Sequence, residues 1–192
     1  MERNLRISII YFLYLFSAWS FFRFFFRLPE LVDELWFKPV IFLVPLFFIY
    51  LGRGDRPKLW EGNIFKGLVI GLLAGIALRS IFMIVSRQAL ELSLEKIIMA
   101  MLVSTVEQMT FAGLVLPLVN RGLKNETGSS LLVAVMYGLI HVPLLWFGKG
   151  LWLNTILGVF LINFCISFVA NKSFLNTKNI ASSILIETLI LL

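Results

Sequence analysis

The sequence predicts an all-α integral membrane protein, a single polytopic domain over residues 1–192 with about seven transmembrane helices. Two observations favour this class. Hydrophobic residues make up 59% of the chain and charged residues only 15%, whereas soluble domains are nearer half apolar and a quarter charged. The mean hydropathy is +0.93, and the apolar residues are concentrated in long runs, as in helices that cross a bilayer. Disorder is excluded, because disordered chains are poor in apolar residues.

The apolar runs define the predicted helices in order. The first is long, carries Arg23 near its end and lacks a small-x-small cleavage site, so it is predicted to be a membrane span rather than a signal peptide. The second is short and contains Pro45, which predicts a break in it. The seven segments are Ile7 to Phe26, Pro39 to Leu51, Ile64 to Ser86, Lys96 to Val119, Ser129 to Phe147, Leu151 to Ala170 and Asn179 to Leu192.

Small residues in the third segment predict close helix packing. Gly67, Gly71 and Gly75 are spaced by four, and this small-xxx-small spacing lets helix backbones approach one another closely.

The loop charges predict the orientation and the immediate partner. The net charge is +6, but most basic residues flank apolar runs, so membrane lipid is the expected partner and nucleic acid is not. Placing the N-terminus in the cytoplasm of a multi-pass cell-membrane protein leaves most basic residues inside, and seven spans then place the C-terminus outside. The predicted inside residues are Arg3, Arg6, Arg53, Arg56, Lys58, Lys66, Arg121, Lys124, Lys172 and Lys178, and the predicted outside ones are Arg27, Lys38, Arg87, Lys96 and Lys149.

Ionisable groups at membrane depth are costly, so each one is a candidate functional residue. Glu107, near the middle of the fourth segment, is the strongest candidate, and His141, the only histidine, is the second. Tyr137 lies four residues before His141 on the same helix face and is interpreted as packing. Pro143 predicts a loosened helix just after the histidine. The remaining intramembrane polar candidates are Gln108, Glu187, Arg79, Asn154 and Asn163.

These residue types suit hydrolysis. A carboxylate and a neutral imidazole that converge on one water can deprotonate it for attack on an amide carbonyl, and a nearby donor such as Gln108, Asn163 or Arg79 could stabilise the oxyanion. A structural hydrogen bond or a proton relay in a transporter would use the same pair. Arg79 is interpreted as a structural partner of Glu107 or Glu187, and the asparagines as contacts between helices.

In their order and spacing these residues resemble the CPBP family, the CAAX-processing and bacteriocin-related (Abi) intramembrane endopeptidases. The family's first motif, two glutamates and then Phe-Arg-Gly, is similar to Glu107-Gln108-Met109-Thr110-Phe111-Ala112-Gly113. Its second motif, an aromatic residue four before a histidine, is similar to the stretch from Tyr137 to His141. The resemblance covers residues 95–192 and implies that Glu107 and His141 activate water. It also implies a hydrophobic or lipidated protein or peptide as substrate.

The sequence departs from the family's motifs at four positions. Gln108 replaces the second glutamate and Ala112 the arginine, while Glu187 and Leu191 stand where the last motif has histidine and asparagine. An anionic Glu187 would oppose an oxyanion and could help only if protonated. The sequence leaves three alternatives open: a divergent protease, an enzyme with Gln108 or Asn163 as oxyanion donor, or a non-catalytic membrane binding or scaffold protein.

A transporter would require a polar pathway or inverted repeats, which the sequence does not show clearly. The family has been described both as metal-dependent and as glutamic-type. One histidine and no useful cysteine favour the metal-free form, so no metal or other cofactor is expected.

Overall fold

In the computed structural model, which describes residues 2–26, 32–86 and 92–192, the chain is a bundle of helices. Two π-helical turns, Asp33–Phe37 and Met109–Val115, run directly into the helices that follow them, and a third, Leu144–Gly148, closes the span that begins with α6. The helices are α1 Glu2–Phe25, α2 Lys38–Leu51, α3 Ile64–Ser86, α4 Leu94–Gln108, α5 Leu116–Leu123, α6 Glu126–Ile140, α7 Leu153–Thr177 and α8 Ala181–Leu191.

The predicted all-α membrane class is confirmed. Within the described ranges, six helical stretches are long and apolar enough to cross a membrane, and α8 is a shorter apolar helix. The third predicted segment has the bounds of α3. The chain is therefore a multi-pass membrane protein.

The predicted break at Pro45 is wrong. The second span begins at Asp33 rather than at Pro39, and α2 continues through Pro45 to Leu51. Proline removes one backbone donor, and membrane helices tolerate this more readily than soluble ones. The Tyr11 hydroxyl of α1 donates to the Phe42 carbonyl at 2.6 Å, which ties α1 to the turn of α2 that precedes the proline.

Gly67, Gly71 and Gly75 allow the close helix packing that their spacing predicts. They lie on the face of α3 that packs against α8, where a Cβ added at Gly71 would lie 2.7 Å from the Ser182 carbonyl oxygen, and one at Gly75 would lie 2.7 Å from the Leu189 side chain. A Cβ added at Gly67 would lie 3.3 Å from the Asn179 side chain. Because these three positions carry no side chain, α8 can pack closely against this face of α3.

A short antiparallel contact also holds the start of α8. The Gly62 amide donates to the Lys178 carbonyl at 2.9 Å, and the Ile180 amide donates to the Leu59 carbonyl at 2.8 Å. Gly62 is required by the close approach, because a Cβ there would lie 1.7 Å from the Thr177 carbonyl oxygen. The loop before α3 and the α7–α8 turn are therefore tied together.

Loops that the charge pattern places on one side of the membrane contact one another at one end of the bundle. Arg53 donates to the Asn4 side chain at 2.6 Å, and Arg121 donates to Asp55 at 2.7 Å. The Arg121 guanidinium holds the pKa of the Asp55 carboxyl below its ordinary value. Arg27 and Arg87 lie outside the described residues. Lys38, predicted to be a loop charge outside the membrane, is instead a buried residue of α2.

Candidate active site

Glu107 lies at the centre of a polar cluster inside the bundle. Glu107 occupies the last turn of α4, immediately before the π-helical turn Met109–Val115, and is only 3% exposed. Its Oε1 lies 2.5 Å from the Lys38 ammonium, while its Oε2 lies 2.5 Å from the Tyr137 hydroxyl and 3.5 Å from His141 Nε2. Side chains from two other spans therefore converge on the Glu107 carboxylate.

His141 caps the end of α6, and the helix ends where Pro143 predicts. Its Nδ1 lies 2.8 Å from the Tyr137 carbonyl oxygen. Because a carbonyl only accepts hydrogen bonds, Nδ1 carries a proton and donates it, and Nε2 faces Glu107. The predicted convergence of Glu107 and His141 is present, at the separation of one long hydrogen bond or one shared water.

Tyr137 does more than the packing predicted for it. Its hydroxyl lies between Glu107 Oε2 at 2.5 Å and Glu187 Oε1 at 2.7 Å. The ring is held edge-on against Phe111, with centroids 5.2 Å apart. The packing interpretation was incomplete because sequence spacing placed Tyr137 beside His141 but gave no sign that two carboxyl groups would flank the hydroxyl.

Lys38 is the site residue that sequence reasoning missed. It is 5% exposed and bonds Glu34 Oε2 at 2.6 Å as well as Glu107. Counting it among the loop charges was wrong, because the second span begins at Asp33, six residues before the predicted segment. The signal that could have found it is its spacing: Glu34 and Lys38 are four residues apart and opposite in charge, which is typical of one helix face.

The other predicted site residues fall in different places. Gln108 is fully buried and donates to Glu187 Oε2 at 2.6 Å, and Glu187 itself is 2% exposed. Asn163 lines the cavity beside Glu107. Asn154 is exposed on the first turn of α7, away from this cavity.

Arg79 is not the partner of Glu107 or Glu187 that the sequence suggested. Its Nη1 donates to the Ile190 carbonyl at 3.0 Å, and the residue lines a neighbouring cavity. The carboxylates take other partners: Glu107 has Lys38, and Glu187 has Gln108 and Tyr137.

The polar cluster opens into a cavity of about 440 Å³. Its polar lining includes Glu34, Lys38, Glu107, Tyr137, His141 and Glu187. Apolar side chains such as Val103, Leu144 and Ile166 form the rest of the wall. A cavity that combines an acid–base pair with apolar walls can hold a hydrophobic chain next to a reacting group.

The side chains around Glu107 do not suit a metal ion. In the part of the chain that the structure describes, no three His, Cys, Asp or Glu side chains come together as ligands. The Lys38 ammonium already neutralises Glu107 at the position where a cation would bind.

Comparison with known protein families assigns the chain to one of them. A family model described as type II CAAX prenyl endopeptidase Rce1-like matches residues 89–190, which is more than half of the chain. A helical membrane bundle with this match is a protein of the CAAX endopeptidase class. The chain belongs to the type II CAAX prenyl endopeptidase Rce1-like family, so the resemblance to CPBP proteins is confirmed. No curated protein and no solved structure matches it.

The matched region and the site overlap only in part. Residues 89–190 include Glu107, Tyr137, His141 and Glu187. Lys38 and Glu34 come from the second span, before the match begins. The cation beside Glu107 is thus supplied by a part of the chain that the family model does not cover.

Proposed function

We propose that this protein is an intramembrane endopeptidase that hydrolyses a peptide bond in the C-terminal CAAX region of a prenylated substrate. Glu107 is the general base and His141 assists it. The observation that carries the proposal is the separation of 3.5 Å between Glu107 Oε2 and His141 Nε2 at the wall of a cavity inside the bundle. Family membership supports the reaction class.

The two groups suit a single water molecule. In the proposed resting state His141 is neutral, with its proton on Nδ1. Glu107 Oε2 and His141 Nε2 are then both acceptors, so one water can donate a hydrogen to each of them. Both hydrogens are then directed at the protein, and an oxygen lone pair is free to attack a carbonyl carbon placed in the cavity. This geometry favours water as the nucleophile.

The reaction needs one proton to be moved twice. Glu107 takes a proton from the water as the water oxygen bonds to the carbonyl carbon, and the C=O π electrons move to the carbonyl oxygen. When the tetrahedral intermediate collapses, the C–N bond breaks and Glu107 returns the proton to the departing amine. The products are a new carboxylic acid and a free amine, and Glu107 is regenerated as a carboxylate.

The hydrogen bonds around Tyr137 assign different roles to the two carboxyl groups. The phenol has one hydrogen, yet its oxygen lies within 2.7 Å of both Glu107 and Glu187. One contact therefore requires a protonated carboxyl group as donor. Glu107 is paired with the Lys38 ammonium, so Glu187 is the group that holds the proton. A neutral Glu187 removes the electrostatic objection to this residue in the position of the family's histidine.

Of the three predicted oxyanion donors, Asn163 has the position best suited to this role. It lines the cavity with Glu107 and His141. Gln108 is fully buried with its amide on Glu187, and Arg79 belongs to the neighbouring cavity. An amide N–H aimed at the developing oxyanion stabilises it through a hydrogen bond.

The test is cleavage of a prenylated CAAX peptide by the purified protein in lipid vesicles. Glu107→Gln and His141→Ala should each lower the rate by about 10²–10⁴-fold, the usual contribution of acid–base catalysis. Glu61→Gln is the matched control, because it changes an exposed carboxylate paired only with the neighbouring Lys58 in the described chain. If Glu107→Gln and His141→Ala cleave as fast as Glu61→Gln, the chain is better explained as a non-catalytic binding protein.

We also propose that the N-terminus faces the cytoplasm of the cell membrane, as the loop charges predict. His141 and Lys149, at the cavity, follow α6 away from the end where Arg53 and Arg121 meet Asp55. The cavity then lies toward the opposite face of the membrane. Labelling single cysteines at positions 55 and 149, in a Cys165→Ser background, with a membrane-impermeant thiol reagent should mark only position 149 from outside; the reverse pattern inverts the topology.

A further inference from the structure

A second cavity adjoins the candidate active site and has a different character. It encloses about 480 Å³ and shares part of its wall with the first cavity, including Asn163, Ile166 and Ile190. Its distinctive residue is Arg79 of α3, which the first cavity does not contain. The two cavities are therefore neighbouring chambers on either side of a shared wall.

Arg79 is buried with little to neutralise it. The residue is 8% exposed, and its Nη1 donates to the Ile190 carbonyl. Its Nε has no hydrogen-bond partner, and no carboxylate of the described residues forms an ion pair with it. The Phe82 ring lies beneath the guanidinium, 5.6 Å away. Burying an uncompensated charge is costly, and a guanidinium on the wall of a cavity is suited to bind a carboxylate in a bidentate manner.

Glu107 and Arg79 are joined by a short chain of contacts. Tyr137 links Glu107 to Glu187 through bonds of 2.5 and 2.7 Å, and Ile190, whose carbonyl accepts from Arg79, follows Glu187 by about one turn of α8. The two cavities also share Asn163, Ile166 and Ile190 in their walls. An extended peptide advances roughly 3.3–3.6 Å per residue, so a few residues suffice to reach from one cavity into the other.

We propose that Arg79 binds the free C-terminal carboxylate of the substrate and so selects peptides whose chain ends within a few residues of the cleaved bond. This inference rests on the proposed function. A CAAX sequence ends the chain by definition, so any bond within it lies within three residues of a free carboxylate. The apolar residues of the shared wall suit the aliphatic side chains between the two ends.

The experiment compares two prenylated peptides that differ only at the C-terminus, one a free acid and one an amide. With the wild-type protein in vesicles of neutral lipid, the acid should have a KM lower by about 10–100-fold, the effect of one charge-assisted hydrogen bond. Arg79→Gln should raise the KM of the acid to that of the amide, and Arg79→Lys should restore part of the difference. Arg56→Gln removes an exposed arginine and should leave the preference unchanged.

Several results would overturn the assignment. If wild-type protein cleaves or binds acid and amide equally well, Arg79 does not read the terminus, whatever Arg79→Gln does to folding. If affinity depends on anionic lipid instead of on the peptide terminus, the arginine binds a lipid phosphate. The Glu107→Gln protein separates this failure from failure of the proposed function, because it should still bind the labelled acid more tightly than the amide even if no variant shows cleavage.

Discussion

Replacing Lys38 with methionine tests the least expected contact in the site. Methionine keeps an unbranched side chain of similar length and removes the charge. Lys38 is bonded to Glu34 at 2.6 Å and to Glu107 at 2.5 Å, with its side chain 7% exposed. Removing one partner of a buried ion pair costs about 3–5 kcal/mol, because the other charge is left without compensation. For a chain of this size that corresponds to a fall in melting temperature on the order of 10 °C.

Thermal unfolding in detergent, followed by tryptophan fluorescence, measures this change. Lys58→Met is the control, because Lys58 and Glu61 form an ion pair with side chains 66% and 47% exposed. Such a surface pair contributes only about 0–1 kcal/mol. The double variant Lys38→Met/Glu107→Gln removes both charges, so it should be more stable than the sum of the single changes predicts, by about 0.5–3 kcal/mol.

The single variant Lys38→Met should also lose activity. If Glu107 takes up a proton in place of its missing cation, it can no longer accept one from water, and cleavage should fall by at least about 10²-fold. Lys38→Arg keeps a positive charge and should retain part of the activity. If Lys38→Met has the same melting temperature as Lys58→Met and cleaves at the wild-type rate, the Lys38–Glu107 ion pair has no role in the site.

Three further changes test other parts of the structure. Tyr137→Phe removes the hydroxyl between the two carboxyl groups, so the unfolding free energy should fall by about 1–3 kcal/mol, measured by thermal unfolding. Gly62→Ala would place a Cβ 1.7 Å from a backbone carbonyl of α7, so it should lower the unfolding free energy by at least about 1–3 kcal/mol. Gly158→Ala is the control: a Cβ there would have no atom within 4 Å, so this change should not destabilise the protein. Arg121 lowers the pKa of Asp55, so the contribution of this pair is present above the unfolded pKa of about 3.9 and is lost as the pH falls below it. The melting temperatures of wild type and Asp55→Asn should accordingly differ at pH 6, and the difference should shrink as the pH is lowered below about 3.9.

The membrane fold was largely accessible from the sequence, because lipid imposes a long apolar run on each spanning helix. The bounds of α3 and the close helix packing at its glycines followed from apolar length and residue spacing alone, whereas only the structure shows that the partner is α8. Pro45 misled the prediction, since a local rule for breaking helices does not include the membrane or the neighbouring α1, whose Tyr11 hydroxyl bonds the turn before the proline. Local rules fail where the surroundings of a helix decide its course.

The candidate site was accessible only in part, for a similar reason. Glu107 and His141 were recognisable because an ionisable group at membrane depth is costly wherever its partner lies. Lys38 was not, because a lysine at the edge of an apolar run normally extends to the lipid headgroups, and only the packed bundle shows it turned inward to Glu107. The bridging role of Tyr137 also depends on three helices meeting, which spacing along one helix does not report.

The most direct test of the central claim is the rate at which purified protein in lipid vesicles releases the C-terminal fragment of a prenylated CAAX peptide. Wild type and Glu107→Gln should be measured together, at equal folded concentration. The account predicts turnover by the wild type and release at least about 10²-fold slower by Glu107→Gln. Equal rates for the two proteins, or no release by the wild type, would contradict it.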